Sequence, residues 1–249
     1  MAVSIHISQL ERLVEGISKR MNQKVYIYKY HKIGITKPIF WYKMLTKKQL
    51  QLFMPFGTNI FKEYSYKEIV KLANEKSNNA LQIALQQFLK EKIVIERKIG
   101  NSKLYKVNDE NDICYDYLAL LKYEGFSSSL RQSIEALKVE IEKYVLFYSL
   151  VVFGSYATGQ QKKESDLDIA ILLPDSAQEK NMKIAVNMSS SSTLIPIHAQ
   201  IITYNDFFEM LINKQANVGK EIALKHRAVH NVNIFYKIVK RAIDHGFHY

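Results

Sequence analysis

The strongest constraint in this 249-residue chain is a motif of four residues, G-S-x10-D-x-D, which connects two apolar runs. Gly154 and Ser155 end a buried-strand run, and Asp166 and Asp168 stand at the start of the next one, Leu167–Leu173. A glycine-containing turn that opens a helix presents backbone N–H groups to phosphate oxygens. Two aspartates separated by one residue on a strand lie on the same face, where they can hold a divalent cation. The spacing therefore predicts an α+β fold with a phosphate and metal site where these strands meet the turn.

The sequence around these four residues resembles a known family signature. The stretch FGSYATGQQKKESDLDIAILL, residues 153–173, is similar to that of the nucleotidyltransferase superfamily, which includes DNA polymerase β and the minimal nucleotidyltransferases. The flanking pattern agrees, because it predicts helices at Leu130–Tyr144 and Ala177–Met188 and a strand at Pro196–Thr203. The resemblance implies a polymerase-β-type domain over residues 129–249, in which a mixed sheet is surrounded by helices and more helices close the C-terminus.

The resemblance also implies the roles of the motif residues. Gly154 and Ser155 would bind the triphosphate of an NTP, and Asp166 and Asp168 would be the catalytic residues and the ligands of Mg²⁺ or Mn²⁺. The NTP would be a substrate in an active domain and a ligand in an inactive one.

One part of the superfamily pattern is missing from this sequence. Active members usually carry a third carboxylate on a later strand, and the matching strand here is Ile197–Thr203. By register the carboxylate should fall at His198 or Gln200, which share a face, and neither residue is acidic. A neutral histidine can ligate a metal or act as a base, but it binds Mg²⁺ poorly. Whether the domain is an active enzyme therefore stays open at this point.

Positive charge is concentrated in the first half of the chain. The whole sequence has 35 Lys and Arg against 24 Asp and Glu, a net charge of +11. Residues 1–126 carry 21 basic and 12 acidic side chains, a net +9, whereas residues 127–249 carry 14 and 12, a net +2. Such asymmetry favours a basic module that binds a polyanion, joined to a near-neutral module with a different task.

The basic half shows a second recognisable order of elements. Apolar periodicity predicts three helices and then a hairpin, at Leu45–Phe53, Tyr66–Asn74, Asn78–Lys90, Ile93–Lys98 and Lys103–Val107. Ser65 and Glu68 have the spacing of a capping box at the start of the second helix. Over residues 45–108 this order resembles the winged helix-turn-helix domains of prokaryotic DNA-binding proteins, and it makes DNA an expected partner.

Two groups of residues are candidates for contacts with DNA. Asn and Gln side chains can make paired hydrogen bonds to adenine, and the third helix carries Asn78, Asn79, Gln82 and Gln86. The first, third and fourth of these are four residues apart and form one row. Basic side chains of the hairpin are expected to meet phosphates, and these are Arg97, Lys98 and Lys103.

The rest of the sequence is less informative. Residues 1–44 predict a helix and a strand of unknown role, and residues 109–128 predict a linker helix. Cys114 is the single cysteine, so a disulfide framework is excluded. Because no apolar run has the length of a membrane span and the start does not resemble a signal peptide, we expect a cytoplasmic protein with no membrane partner. Winged-helix proteins often form dimers, so a homodimer is one expected assembly.

These observations favour a DNA-binding protein of two modules whose nucleotidyltransferase domain binds NTP and Mg²⁺. The leading hypothesis is transfer of a nucleoside monophosphate to a hydroxyl group of a protein or a nucleic acid. One alternative is a DNA-binding transcriptional regulator whose domain senses nucleotide with weak catalysis. A second alternative is an antitoxin that modifies a separate toxin.

Overall fold

The computed structural model describes residues 45–75 and 77–249. The helix and strand expected within residues 1–44 lie outside the described residues. Lys47–Tyr249 forms one compact unit. In the part of the chain that the structure describes, no helix combines the length and the apolar character that crossing a membrane requires.

The described residues between 45 and 107, here called the N-terminal half, form three helices and an antiparallel sheet of three strands. The elements are α1 (Lys47–Phe53), a 3-10 turn (Met54–Gly57), β1 (Tyr64–Ser65), α2 (Tyr66–Ala73), α3 (Asn78–Lys90), β2 (Val94–Ile99) and β3 (Ser102–Val107). The strand order is β1-β3-β2, with β2 and β3 joined as a hairpin.

Local sequence signals account for the start and end of these elements. The predicted capping box is confirmed, because the Ser65 hydroxyl accepts from the Glu68 N–H and the Glu68 carboxylate accepts from the Ser65 N–H at 2.8 Å. The hydrogen bonds that the Glu68 carboxylate accepts from the Ser65 N–H and from Lys62 lower the pKa of Glu68 to about 2. The predicted bounds of α3 are also confirmed. The hairpin begins one residue later than predicted, since the Ile93 N–H still donates to the Phe88 carbonyl at the end of α3.

Residues 113–249, here called the C-terminal half, form helices around a mixed sheet of four strands. The elements are α4 (Ile113–Glu124), α5 (Ser128–Glu142), β4 (Ser149–Val152), α6 (Gly154–Thr158), β5 (Leu167–Leu173), α7 (Glu179–Ser192), β6 (Ile197–Thr203), α8 (Tyr204–Ile212), α9 (Val218–Leu224), β7 (Arg227–His230) and α10 (Val232–Asp244). The strand order is β6-β5-β4-β7, in which only the β5–β6 pair is parallel. A mixed α+β architecture is therefore confirmed for this half.

The central strand β5 determines where the core lies. Leu167, Ile169 and Ile171 are fully buried in one apolar cluster with Leu137 of α5 and Met182 of α7. Because side chains alternate along a strand, Asp168 lies on the opposite face of the sheet. The helix predicted at Leu130–Tyr144 begins earlier, at Ser128, because Ser127 caps it through the N–H of Leu130. The helix predicted at Ala177–Met188 runs from Glu179 to Ser192.

The segment predicted as a linker, residues 109–128, is packed against the last helix, α10. The ring of Tyr115 in α4 stacks on Tyr236 of α10, with centroids 5.7 Å apart. Lys240 of α10 lies 2.8 Å from the buried carboxylate of Asp109 and 2.9 Å from Glu110. Apolar and ionic contacts together therefore hold this segment to the last helix.

The buried carboxylate of Asp109 gives a stability prediction. Lys240→Met removes the nearer of two cations from the Asp109 carboxylate, whose side chain is only 6% exposed, and leaves Lys106 at 3.8 Å. We therefore expect the free energy of unfolding to fall by about 2 kcal/mol. Lys237→Met on the same helix is the matched control, since its pair with Asp112 is exposed at both ends and should contribute under about 0.5 kcal/mol. Urea denaturation of the two variants measures the difference, and equal losses would contradict the assignment.

Candidate functional site

The glycine–serine turn lies where β4 ends. Phe153 is extended, and Gly154 begins the five-residue helix α6 with a φ of +64°. The Phe153 N–H donates to the Asp168 carbonyl at 3.0 Å, which fastens the turn to β5. The turn is therefore held beside the strand that carries the second aspartate.

Gly154 and Asp168 are in direct contact. A Cβ atom added to Gly154 would collide with Oδ2 of Asp168 and would lie 3.1 Å from its Cγ. Glycine is therefore required at position 154 for two reasons, the positive φ and the close approach of the Asp168 carboxylate. The Asp168 side chain keeps 29% of its surface exposed, so its oxygens remain accessible to a ligand.

Ser155 and Asp166 have polar groups that the fold leaves available. Ser155 is half-buried, and its hydroxyl has no hydrogen-bond partner among the described residues. Asp166 is exposed immediately before β5, and within the same described ranges its carboxylate makes no hydrogen bond or ion pair. Since residues 166 and 168 are two apart on extended backbone, both aspartates are expected on one face.

The position expected for a third carboxylate is beside Asp168 on the neighbouring strand. In the parallel pair of β5 and β6, Asp168 is opposite His198 and Ala170 is opposite Gln200. His198 Nδ1 lies 3.1 Å from Asp168 Oδ1, and 61% of the His198 side chain is exposed. Of the two candidates, His198 is thus the one in contact with the aspartate, while Gln200 is half-buried further along the strand.

The donor set fits a cation that is shared with a ligand. Among residues 45–75 and 77–249, no cluster of three or more His, Cys, Asp or Glu side chains is arranged to hold a metal ion. The carboxylates of Asp166 and Asp168 are hard oxygen donors, and that of Asp168 lies against the turn at Gly154. Mg²⁺ is commonly bound by one or two carboxylates together with substrate phosphates and water. These residues fit such a cation.

Arg227, at the start of β7 beside β4, supports the turn from the neighbouring strand. Its Nε donates to the Ala157 carbonyl in α6 at 2.9 Å, and its guanidinium lies 5.1 Å from the ring centroid of Phe126. Burial lowers the pKa of this arginine. Sequence reasoning missed this contact, because the two residues are 70 positions apart and no local pattern links β7 to the turn.

Comparison with protein families agrees with this geometry. Residues 130–244 match the family model of the nucleotidyltransferase domain. The matched region contains the turn, both aspartates, His198 and Arg227, so it supports the C-terminal module and a function in nucleotidyl transfer. A comparison with curated proteins gave no match.

A second group of candidate residues lies outside the matched region, on α3. Asn78, Asn79, Gln82 and Gln86 are all exposed there. Gln82 and Gln86 line a shallow cavity of about 320 Å³ between α3 and the hairpin, with Glu96 and Lys103 on the hairpin side. The row of amides identified from the sequence is therefore directed toward the hairpin as well as toward solvent.

The three basic candidates of the hairpin differ in their partners. Arg97 pairs with Glu63, with Nε 2.8 Å from the carboxylate, and Lys103 pairs with Glu96 at 3.0 Å. Lys98 is exposed and makes no ion pair in the described part of the chain. Exposed ion pairs contribute little free energy, so phosphates could replace them, but Lys98 is the hairpin cation already available.

Two glycines of α6 and its C-terminal end give a matched prediction. Gly154→Ala should lower the free energy of unfolding by about 1–3 kcal/mol and abolish NTP binding, because a methyl group displaces the Asp168 carboxylate. Gly159→Ala is the control, since Gly159 has a φ of +73° but no atom within 4 Å of an added Cβ. It should show the backbone cost alone and keep NTP binding.

Thermal denaturation and titration with a fluorescent NTP would measure both properties. Equal loss of NTP binding in the two variants would contradict a specific role for the contact between Gly154 and Asp168.

Proposed function

We propose that this protein binds NTP with Mg²⁺ or Mn²⁺ and transfers a nucleoside monophosphate to a hydroxyl group of a protein or nucleic acid. The observation that carries the proposal is the contact between the Asp168 carboxylate and Gly154. It puts a metal-binding group and a turn suited to phosphate at one point. The family match over residues 130–244 supports the same reaction class.

Each residue of the turn has a role in holding the nucleotide. The first N–H groups of a helix have no partner within it, so those of α6 can donate to phosphate oxygens. The Ser155 hydroxyl can donate one more hydrogen bond. Arg227 holds the far end of the turn through the Ala157 carbonyl and so fixes its orientation.

The two aspartates bind the divalent cation that the reaction needs. A divalent cation bound to Asp166 and Asp168 would offset part of the negative charge of the triphosphate and would stabilise the charge that develops on the oxygens around the α-phosphorus. The acceptor oxygen forms a bond to the α-phosphorus, the bond to the bridging oxygen breaks, and pyrophosphate leaves. His198, beside Asp168, is the side chain in position to take the proton of the acceptor hydroxyl.

A specific observation favours a second candidate function. Because His198 is hydrogen-bonded to Asp168, it occupies one carboxylate oxygen that a metal would use. A domain arranged in this way could bind nucleotide with weak turnover and act as the sensor of a DNA-binding regulator. The two functions differ in whether label moves from the NTP to an acceptor.

Transfer of label from NTP separates the two functions. The full chain is incubated with each of four α-labelled NTPs, with Mg²⁺ or Mn²⁺, and with a cell lysate as the acceptor source. We expect transfer that falls by at least about 100-fold in Asp168→Asn and in Asp166→Asn. Asp244→Asn, which changes an exposed carboxylate at the end of α10, is the control and should leave transfer unchanged.

Transfer that persists in both aspartate variants would overturn the enzyme function. If the native chain binds NTP without transfer and His198→Asp gains transfer, the regulator function holds instead.

We also propose that the N-terminal half is a winged helix that binds DNA. Its helices and hairpin follow the order α1-α2-α3-β2-β3, with β1 added to the sheet. Four glutamates of this half are each paired with a Lys or Arg, and these are Glu63, Glu68, Glu75 and Glu96. The remaining lysines supply an excess of positive charge, which suits a polyanion.

Salt dependence tests the DNA interaction. Affinity for a random duplex, measured by fluorescence anisotropy between 50 and 200 mM salt (about the range over which phosphate contacts weaken strongly), should fall steeply. Lys98→Gln should reduce the slope of log K against log salt by about 1. Arg97→Gln should reduce it less, since Arg97 is already paired with Glu63. The absence of a salt-dependent complex would overturn DNA binding.

A further inference from the structure

Helix α3 has a well-defined inner face, and that face determines which residues point outward. Leu81, Ala84, Leu85 and Phe88 are buried in the core of the N-terminal half. Successive residues of a helix are rotated by about 100°. Ile83, two residues after Leu81, is therefore turned about 200° away from it, on the side opposite the core.

Ile83 lies at the centre of the exposed face of α3. Its side chain is 55% exposed, and within α3, all of which is described, it is the only large apolar residue exposed to this degree. Asn79 precedes it by one helical turn, and Gln82 and Gln86 flank it on the hairpin side. The row of amides found in the sequence is thus displaced toward the hairpin, and an isoleucine occupies the middle of the face.

A single apolar residue among amides matches a specific feature of DNA. The major groove presents hydrogen-bonding groups on every base pair, and its apolar group is the C5-methyl of thymine. Adenine, the partner of thymine, is the base to which Asn and Gln donate and accept in pairs. An apolar residue beside amide side chains is therefore suited to an A·T base pair.

The charge of the N-terminal half favours DNA over an apolar protein partner. Several lysines of the N-terminal half are exposed and make no ion pair among the described residues, namely Lys67, Lys71, Lys90 and Lys98. On the outward face of α3, one isoleucine offers much less apolar area than protein-docking surfaces, which exceed the roughly 300–600 Å² of the largest apolar patch on a typical monomer. It does offer enough to cover one methyl group.

We propose that Ile83 is a specificity-determining residue that recognises the C5-methyl group of a thymine in the major groove. This inference rests on the proposed DNA binding of the N-terminal half. Asn79 and Gln86 are in position to bond to base edges next to that thymine, so the preferred site contains A·T pairs where the centre of α3 meets the groove.

The test begins with a duplex selected from a random pool by the full-length protein. Each thymine in the selected site is then replaced, one at a time, by deoxyuridine, which lacks only the methyl group. We expect one position at which native affinity falls by about fourfold, the change that loss of one buried methyl gives. Ile83→Ala should lose a similar factor on the thymine duplex and lose nothing further on the deoxyuridine duplex.

Ile184→Ala is the matched control, since Ile184 is an isoleucine of α7 that is 49% exposed. It should keep the full preference for thymine. Circular dichroism verifies the fold of both variants. Ile83→Val, which retains two methyl groups, should keep most of the preference and provides a second variant if the alanine variant does not fold.

The possible outcomes distinguish this inference from the function on which it rests. A selected duplex with no position sensitive to deoxyuridine, or losses in Ile83→Ala and deoxyuridine that simply add, would overturn the role of Ile83 and leave DNA binding intact. Failure to select any duplex, together with no salt-dependent complex, would overturn DNA binding and the inference with it.

Discussion

The candidate site depends on the close approach of the Asp168 carboxylate to the backbone of Gly154. This approach requires a residue without Cβ at the start of α6, and it requires β4 and β5 to be paired so that the turn and the aspartate meet. The bond from the Phe153 N–H to the Asp168 carbonyl continues that pairing to the edge of the turn. The turn proposed to bind phosphate and the aspartate proposed to bind the metal are therefore held against each other by the same pair of strands.

Local sequence signals predicted much of the fold. Three features are as predicted: the bounds of α3, the capping box at Ser65 and the strand Leu167–Leu173. Each of them depends on residues that are close together in the sequence. The mixed sheet of the C-terminal half was predicted from the resemblance to a family, not from periodicity. That resemblance also pointed to Gly154 and Asp168, which the structure brings together.

The features that could not be predicted from the sequence depend on contacts between segments that are far apart along the chain. The bond between Arg227 and Ala157 joins residues 70 positions apart, and no pattern along the chain marks it. The choice between His198 and Gln200 depends on the register of two parallel strands. The alternation of side chains between the two faces does not determine that register. The sequence pattern does not mark Ile83, because the spacing of the amides at positions 78, 82 and 86 indicates a different row of the helix. The centre of the outward face is determined by which residues of α3 are buried.

The contacts of α4 and α10 have a consequence for how the protein could reach an acceptor. The ring stack of Tyr115 on Tyr236 and the pairs made by Lys240 attach the segment after the hairpin to the last helix of the chain. A catalytic domain on a flexible linker can reach acceptors over a wide range of distances. If the N-terminal half binds a duplex and the C-terminal half carries out the proposed transfer, this attachment would confine the transfer to acceptors at one distance from the bound duplex.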